Sequence, residues 1–373
     1  MAGAYKAACE AAQARHLVSA DDCFNSGFPE LTLNGHRTVE LLNERLVDLD
    51  VAPLAVAVAE SKQFALIDFS YNELGAGAAE SLAQLLKDDS TIEMLDLSEN
   101  NLTAEAVEVL CSALNTNSTL REQRLSGNAL GTSGGMAVAK MLHANSGLRK
   151  LALSNCGLST EALVALATVL REDSKLVELD VGRPLTRTLM DEPASHLGRM
   201  LKLNGHLETL DLSKAGLTDS GLRLLAEGAY GGGDRSALAV LRLRANALEL
   251  ADNDALNALH LFLASPHCRL VELDVGANRL ADEGGLKLAD LLGSNGSLRI
   301  VDGTHNRLGS RGLCALAAAT RAHPALRTLR LWGNYFDSAA CLSWTEALGT
   351  LRALDLDFTP TAVDGVYQCV ENR

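Results

Sequence analysis

Short runs of alternating apolar and polar residues recur along this chain, separated by stretches of helical period. From Ile92 to Leu102 the apolar positions are Ile92, Leu95, Leu97 and Leu102, with Asn100 before the last of them. The same phrase returns about ten times between Phe64 and Phe336. The alternation predicts a short strand with Leu95 and Leu97 facing inward and Met94, Asp96 and Ser98 on the other face. Downstream, Val107, Leu110, Cys111 and Leu114 fall at i, i+3, i+4 and i+7, which predicts one buried helix face. Ala79-Leu82-Ala83-Leu86, Leu163-Leu166-Ala167-Leu170 and Gly285-Leu288-Ala289-Leu292 repeat that set. The small residue in the third slot lets the helix lie close to the strand layer.

The spacing is as regular as the phrase. The asparagine column reads Asn72, Asn100, Asn128 and Cys156 at steps of 28 residues, then Pro184. It continues at Ala215, Asn246 and Asn278 after steps of 31, 31 and 32, and at Asn306 and Asn334 after 28 each. A constant period of this length marks a solenoid of stacked units and lies within the leucine-rich repeat range. The expected fold is α/β: a right-handed leucine-rich repeat solenoid, or horseshoe. Parallel strands would line its concave side and helices its convex side, as in the ribonuclease-inhibitor-like class. Residues 1–63 are expected to form a helical lead-in and cap, with Phe28 to Leu33 a degenerate first strand and Arg45 to Ala59 helical. Residues 64–350 would hold ten repeats, and 351–373 a partial repeat at Leu351, Leu354 and Leu356 followed by a tail. A buried asparagine in each turn should bond the backbone of its own and neighbouring coils. Cys156 would do so less well, and the ladder should be interrupted at Pro184 and Ala215.

The departures from the repeat carry the candidate chemistry. Arg183 to Met200 replaces the asparagine turn and adds residues, so Arg183, Arg187, Asp191 and Glu192 are candidate contacts on a loop at the rim. Gly231-Gly232-Gly233-Asp234 reads as a flexible helix-to-strand connection and not a phosphate loop, since no Lys-Ser or Lys-Thr follows. His260 takes the small-residue helical slot, and Gln123 an inward strand slot; both read as structural. The exposed strand column runs Asp68, Asp96, Arg124, Ala152, Asp180, Asp211, Arg242, Asp274, Asp302, Arg330, Asp355. The next runs Ser70, Ser98, Ser126, Ser154, Gly182, Ser213, Arg244, Gly276, Thr304, Trp332, Asp357. Asp-x-Ser is ordinary wording for such a repeat, and a solvated role for Asp68 and Ser70 accounts for it. The second half departs, and Arg242, Arg244, Asp274, Asp302, Arg330, Trp332 and Tyr335 are the candidate partner-binding residues. An exposed tryptophan beside arginine is hot-spot chemistry; packing beneath the C-terminal segment is the alternative for Trp332.

Composition narrows the function further. The chain of 373 residues is 47% hydrophobic but 4% aromatic, which suits many small identical layers. A formal net charge of −14 argues against nucleic acid, whose phosphates need a basic footprint. Neither a signal peptide nor a membrane span is expected. The eight cysteines are scattered without a C-x-x-C pair, which reads as reduced thiols in a cytoplasmic or nuclear setting; the sequons at Asn117 and Asn295 would then be chance. No zinc spacing, G-x-S-x-G or Walker sequence occurs. The aspartates of the strand face lie in the open, without a pocket to tune their pKa. The expectation is a protein that is not an enzyme, with no cofactor, metal or small-molecule substrate.

Outside the generic repeat, four segments carry a more specific resemblance: Arg183-Pro184-Leu185, His196 to Lys202, Leu331-Trp332-Gly333-Asn334-Tyr335-Phe336-Asp337 and Val363-Asp364-Gly365-Val366-Tyr367. Together they resemble the leucine-rich repeat-containing protein 34 family from about residue 28 onward, although the chain stops earlier than that family's pattern suggests. The resemblance implies a structural component of the axoneme of cilia and flagella, associated with radial spokes, with axonemal proteins as partners. It implies as an alternative a nuclear or nucleolar regulator in ribosome biogenesis or differentiation. A Ran GTPase-activating-like or ribonuclease-inhibitor-like binder shares the repeat class. Val363 to Arg373 is not the acidic tail the former calls for, and the cysteines are fewer than the latter usually carries.

Overall fold

The computed structural model describes residues 2–35, 45–171, 174–186, 190–349, 354–363 and 366–372. The chain forms two compact units, Met1–Arg187 and Thr188–Arg373.

The first unit opens with two helices, α1 (Ala2–Ala12) and α2 (Val18–Ser26), then β1 (Glu30–Thr32) and α3 (Asp48–Ser61). Regular alternation follows: β2 (Leu66–Asp68), α4 (Ala76–Asp88), β3 (Met94–Asp96), α5 (Ala104–Leu114), β4 (Glu122–Arg124), α6 (Gly131–Ala144), β5 (Lys150–Ala152), α7 (Thr160–Leu170) and β6 (Glu178–Asp180). Strands β1 to β6 pair in parallel in sequence order. Their centres, Leu31, Ile67, Leu95, Gln123, Leu151 and Leu179, stand in register and are buried.

The second unit holds α8 (Asp191–Leu203), β7 (Thr209–Asp211), α9 (Asp219–Gly232), β8 (Val240–Arg242), α10 (Asn253–Leu263), β9 (Glu272–Asp274) and α11 (Ala281–Ser294). It continues with β10 (Ile300–Asp302), α12 (Ser310–Ala322), β11 (Thr328–Arg330), α13 (Ser338–Leu348) and the short β12 (Asp355–Leu356). Strands β7 to β12 again pair in parallel in order. Leu351 lies outside the described residues. In place of a plain tail, β13 (Phe358–Val363) and β14 (Val366–Glu371) form an antiparallel hairpin against α13. Phe358 packs on Trp344 and Phe336 at ring distances of 5.2 and 4.7 Å, so the hairpin covers the apolar edge the last repeat would otherwise expose.

The asparagine column works as its chemistry requires. Asn100 Nδ2 donates to Leu97 O in its own turn (3.0 Å) and Phe69 O in the preceding one (2.9 Å), while Oδ1 accepts from Leu74 N (3.0 Å). Asn72 and Asn128 make the corresponding bonds. Cys156 Sγ reaches Leu125 O at 3.1 Å but offers no comparable acceptor, and Leu130 N turns to Asn128 O instead. At Ala215 the column is interrupted as expected, since its side chain has no polar atom. Asn246 of the next repeat makes its own ordinary bond, accepting from Leu217 N at 2.9 Å, and also accepts from Ala215 N at 3.0 Å, as Asn334 does from Asn306 N and Leu308 N.

A second capping column, where each helix returns to a strand, is absent from the sequence expectations. Asp89, Asn117, Asn145, Asn204 and Asn295 each accept with one Oδ1 from the backbone amides two and three residues on. His323 fills this place through Nδ1, accepting from Ala325 N and Leu326 N at 3.2 and 3.0 Å. Asn117 and Asn295 are buried here, donating to Leu86 O and Leu263 O.

Three expectations are corrected. His260 is exposed, near Ser294 Oγ, because Ala258 and the bulky Phe262 take the inner face of α10 and turn the imidazole outward. Gly231 and Gly232 are the last turn of α9 rather than a connection, and only Gly233–Arg235 forms a separate 3-10 turn. The glycine that matters is Gly228: a Cβ there would stand 2.1 Å from Gly198 O, so α8 and α9 approach backbone to backbone. Finally, Asp191 and Glu192 belong to no loop; they open α8 with Pro193, where acidic residues favour the helix N-terminus.

Candidate functional site

The strand face of the second unit brings together the candidate residues near β8 to β12. Arg242 Nε donates to Glu272 at 2.9 Å. Arg244 Nη1 lies 3.1 Å from Asp302 Oδ2, 3.0 Å from Thr304 Oγ1 and 3.7 Å from Asp274 Oδ1, spanning two repeats. Arg330 makes a two-pronged pair with Asp355, one bond at 3.1 Å. The pair raises the arginine's pKa and holds the Asp355 carboxyl below the usual range, in each case chiefly through the hydrogen bonds between them. Trp332 is half-buried, and its amide donates to Asp357 Oδ2 at 2.9 Å. Tyr335, in the following turn, is 65% exposed.

The aspartates do more than face solvent. Asp211, Asp274 and Asp302 each accept with Oδ1 from the backbone amide two residues on: Ser213, Gly276 and Thr304, at 2.8 to 2.9 Å. In the first unit Asp68, Asp96 and Asp180 do the same. Each carboxylate therefore closes its strand into the following turn. Asp96 is itself buried, against the expectation of an open column, with Arg124 at 3.5 Å. Burial pushes the Asp274 carboxyl up; the Asp302 charge adds to this, while the Gly276 amide and Arg244 pull it down.

Gly276 completes the arrangement. A Cβ there would stand 2.2 Å from Arg244 Nη1, 2.9 Å from Asp302 Oδ1 and 3.0 Å from Asp274 Oδ1. Five repeats carry serine at this position in the column; glycine here leaves room for the guanidinium to lie across two coils. The sequence displayed the Gly-for-Ser exchange, but not what would occupy the space. Glu272, Thr304 and Asp355 were likewise outside the candidate set. Their signal was opposite charge on the neighbouring strand, or a hydroxyl two strands away, readable only once the register is known.

The other candidate group is divided between the two units. Arg183 is exposed with φ of 48°, and Arg187 lies outside the described residues. Asp191 accepts from Thr218 Oγ1 at 3.2 Å, a bond between neighbouring repeats. Gln123 is buried and donates to Leu95 O at 3.2 Å, while its Oε1 has no partner. Among the described residues no cluster of His, Cys, Asp or Glu is arranged to hold a metal, and no helix is long and apolar enough to cross a membrane. All eight cysteines are free thiols; burial raises Cys111 and Cys156 to about 12.

Five segments, 89–111, 116–139, 144–167, 204–226 and 267–289, match the family model described as Leucine Rich repeat. With the alternation of parallel strands and helices, these matches mark a leucine-rich repeat fold in both units. Human leucine-rich repeat-containing protein 34 is 31% identical over 189 residues, covering 50% of this chain and 39% of the human protein. Human NACHT, LRR and PYD domains-containing protein 12 is 32% identical over 193 residues, 45% of this chain and 18% of that protein. The matches thus span less than half the length of these relatives. Among solved structures, the yeast Rad7–Elc1 complex aligns with 85% of each chain at 18% identity and a TM-score of 0.49.

Proposed function

We propose that this chain is a non-enzymatic protein-binding scaffold whose partner contacts the strand face of the second unit. The observation that carries the reading is the combination at β11: a half-buried Trp332 and a 65% exposed Tyr335 beside an arginine already held straight by Asp355. Aromatic and arginine side chains supply most of the energy of protein interfaces, and a side chain fixed beforehand loses less entropy on binding. Arg242, Arg244, Asp274 and Asp302 form the neighbouring charged surface. With the resemblance to leucine-rich repeat-containing protein 34, the setting we favour is the ciliary or flagellar axoneme, with radial-spoke or doublet-associated proteins as partners.

Cross-linking mass spectrometry on isolated cilia tests both parts. Cross-links from the second unit's strand face to axonemal proteins are expected, and they should be lost in the Trp332→Ala/Arg330→Ala variant while its circular dichroism and melting stay unchanged. An identical cross-link pattern in the variant overturns the site. A melting point lowered by many degrees makes Trp332 core. Signal in nucleoli with none along the axoneme overturns the setting and favours the ribosome-assembly reading.

A further inference from the structure

Helix α3 differs from the repeat helices that follow it. Its inner face is buried through Val51, Leu54, Ala57 and Val58, yet its outer face is apolar too. Leu49, Ala52, Val56 and Ala59 are all exposed, with Leu49 at 72% and Val56 at 50%. Their spacing of 3, 4 and 3 residues is that of a coiled-coil seam. On α4 and α5 the corresponding outward positions are mostly charged or polar, as a solvated helix face requires. The seam forms one wall of a groove of about 680 Å³ between α3 and α4. The opposite wall is the ridge Glu80, Gln84 and Asp88, exposed at four-residue intervals on α4. Only Lys62, at the end of α3, brings a positive charge to the lining.

We infer that this groove docks an amphipathic helix of a partner protein, with a leucine-type seam laid on Ala52, Val56 and Ala59 and basic residues along the edge that meets Glu80 and Asp88. The apolar stripe calls for a helix, because side chains at alternating three- and four-residue intervals are what fill such a seam. The acidic ridge sets the sign of its flank. A second copy of this chain is a poor fit, since a net charge of −14 sets acid against acid. An anionic membrane surface or a nucleic acid would meet the same carboxylates. The surface lies in the first unit and stands independently of the strand face of the second.

The test uses the full chain and a fluorescent synthetic helix of roughly three heptads, leucine at the a and d positions and lysine at e and g. Anisotropy should show saturable binding at micromolar concentration, weakened by high salt. Ala52→Glu/Val56→Glu should weaken it at least about tenfold. These positions face solvent, so melting should not change. Glu80→Lys/Asp88→Lys should weaken the lysine peptide and strengthen a glutamate-flanked version of the same helix. The inference is overturned if the peptide does not saturate, or if the Ala52/Val56 variant binds as well as the parent. It is equally overturned if Val56→Glu dissolves a dimer seen by sedimentation, or if anionic vesicles, rather than the peptide, are what the parent binds and the variant does not.

Discussion

Gly276→Ala tests whether the charge network on the second strand face is a coupled unit. The added Cβ would stand 2.2 Å from Arg244 Nη1, and the guanidinium, as the end of a flexible side chain, has to move away. Its bonds to Asp302 and Thr304 go with it. The Arg244 side chain is 36% exposed, so solvent screens the pairs and the loss is about 1 kcal/mol rather than the 1.5–3 of a buried charged hydrogen bond. The alanine returns roughly 0.4–1 kcal/mol by restricting the unfolded chain. Arg244→Ala alone should therefore cost about 1 kcal/mol, and Gly276→Ala alone a few tenths of that scale to about 1. Once Arg244 is gone, Gly276→Ala should cost less than it does in the parent, the remaining close contacts being with Asp302 Oδ1 at 2.9 Å and Asp274 Oδ1 at 3.0 Å. Urea unfolding of the four proteins gives the coupling directly. Additive single effects would refute the network.

The same variants carry a pH signature. Asp274's carboxyl is raised in the fold, so its contribution is fully favourable below the unfolded carboxylate value and is lost as pH rises through the folded one. Removing Arg244 takes away an attraction that lowers that value. The deficit of Arg244→Ala should be largest at neutral pH and shrink once Asp274 is protonated. A deficit independent of pH would mean that Arg244 does not act on Asp274.

Three further outcomes follow. Asn100→Ala removes bonds to Leu74 N, Phe69 O and Leu97 O and should cost about 2–4 kcal/mol; hydrogen exchange should show the Leu74 amide losing protection, and unchanged protection would refute the ladder. His323 has its pKa lowered by burial, so protonation removes an acceptor and stability falls as pH drops through the ordinary histidine range; His323→Asn should melt like the parent at pH 7 and lose that acid sensitivity, whose slope is at most about 1.4 kcal/mol per pH unit. The Cys341 and Cys369 sulfurs stand 3.0 Å apart, joining α13 to the hairpin, so oxidised glutathione should convert them to a disulfide and release both glutathiones as thiols; peptide mapping that finds only glutathione adducts would refute this.

The periodic part of the fold was legible because burial acts on every repeat alike. Leu95, Leu151 and Leu210 each occupy the inward place that a two-residue alternation assigns, and all are buried. The second capping column was equally present, as Asn117-Ser118-Thr119-Leu120 and Asn295-Gly296-Ser297-Leu298. It escaped because Asp89 and His323 do the same work with different atoms, which a search for one repeated residue type passes over. His260 was misplaced for another reason. Leu256 with His260 and Ala258 with Phe262 mark two candidate faces of one helix, and the volume of Phe262 decides between them. The hairpin was hidden by its shortness, since six alternating residues such as Val366–Glu371 also describe a tail.

The strand-face charges were legible as residues but not as pairs, and the pairing changes which of them suit a partner. Arg244 is held by two carboxylates and a hydroxyl from two other repeats, around a glycine that fixes its path. Withdrawing it would leave Asp274 and Asp302 facing each other, so its work is internal. Arg330 leans on Asp355, whose side chain is 61% exposed and returns to water at little cost when the pair opens. On the proposed reading, a partner carboxylate can therefore take over Arg330 while its apolar groups close over Trp332 and Tyr335. Binding should then weaken sharply with Arg330→Ala and only slightly with Arg242→Ala, whose Glu272 partner is less exposed at 23%. If Arg244→Ala abolishes binding while the protein melts normally, the division between internal and external arginines is wrong.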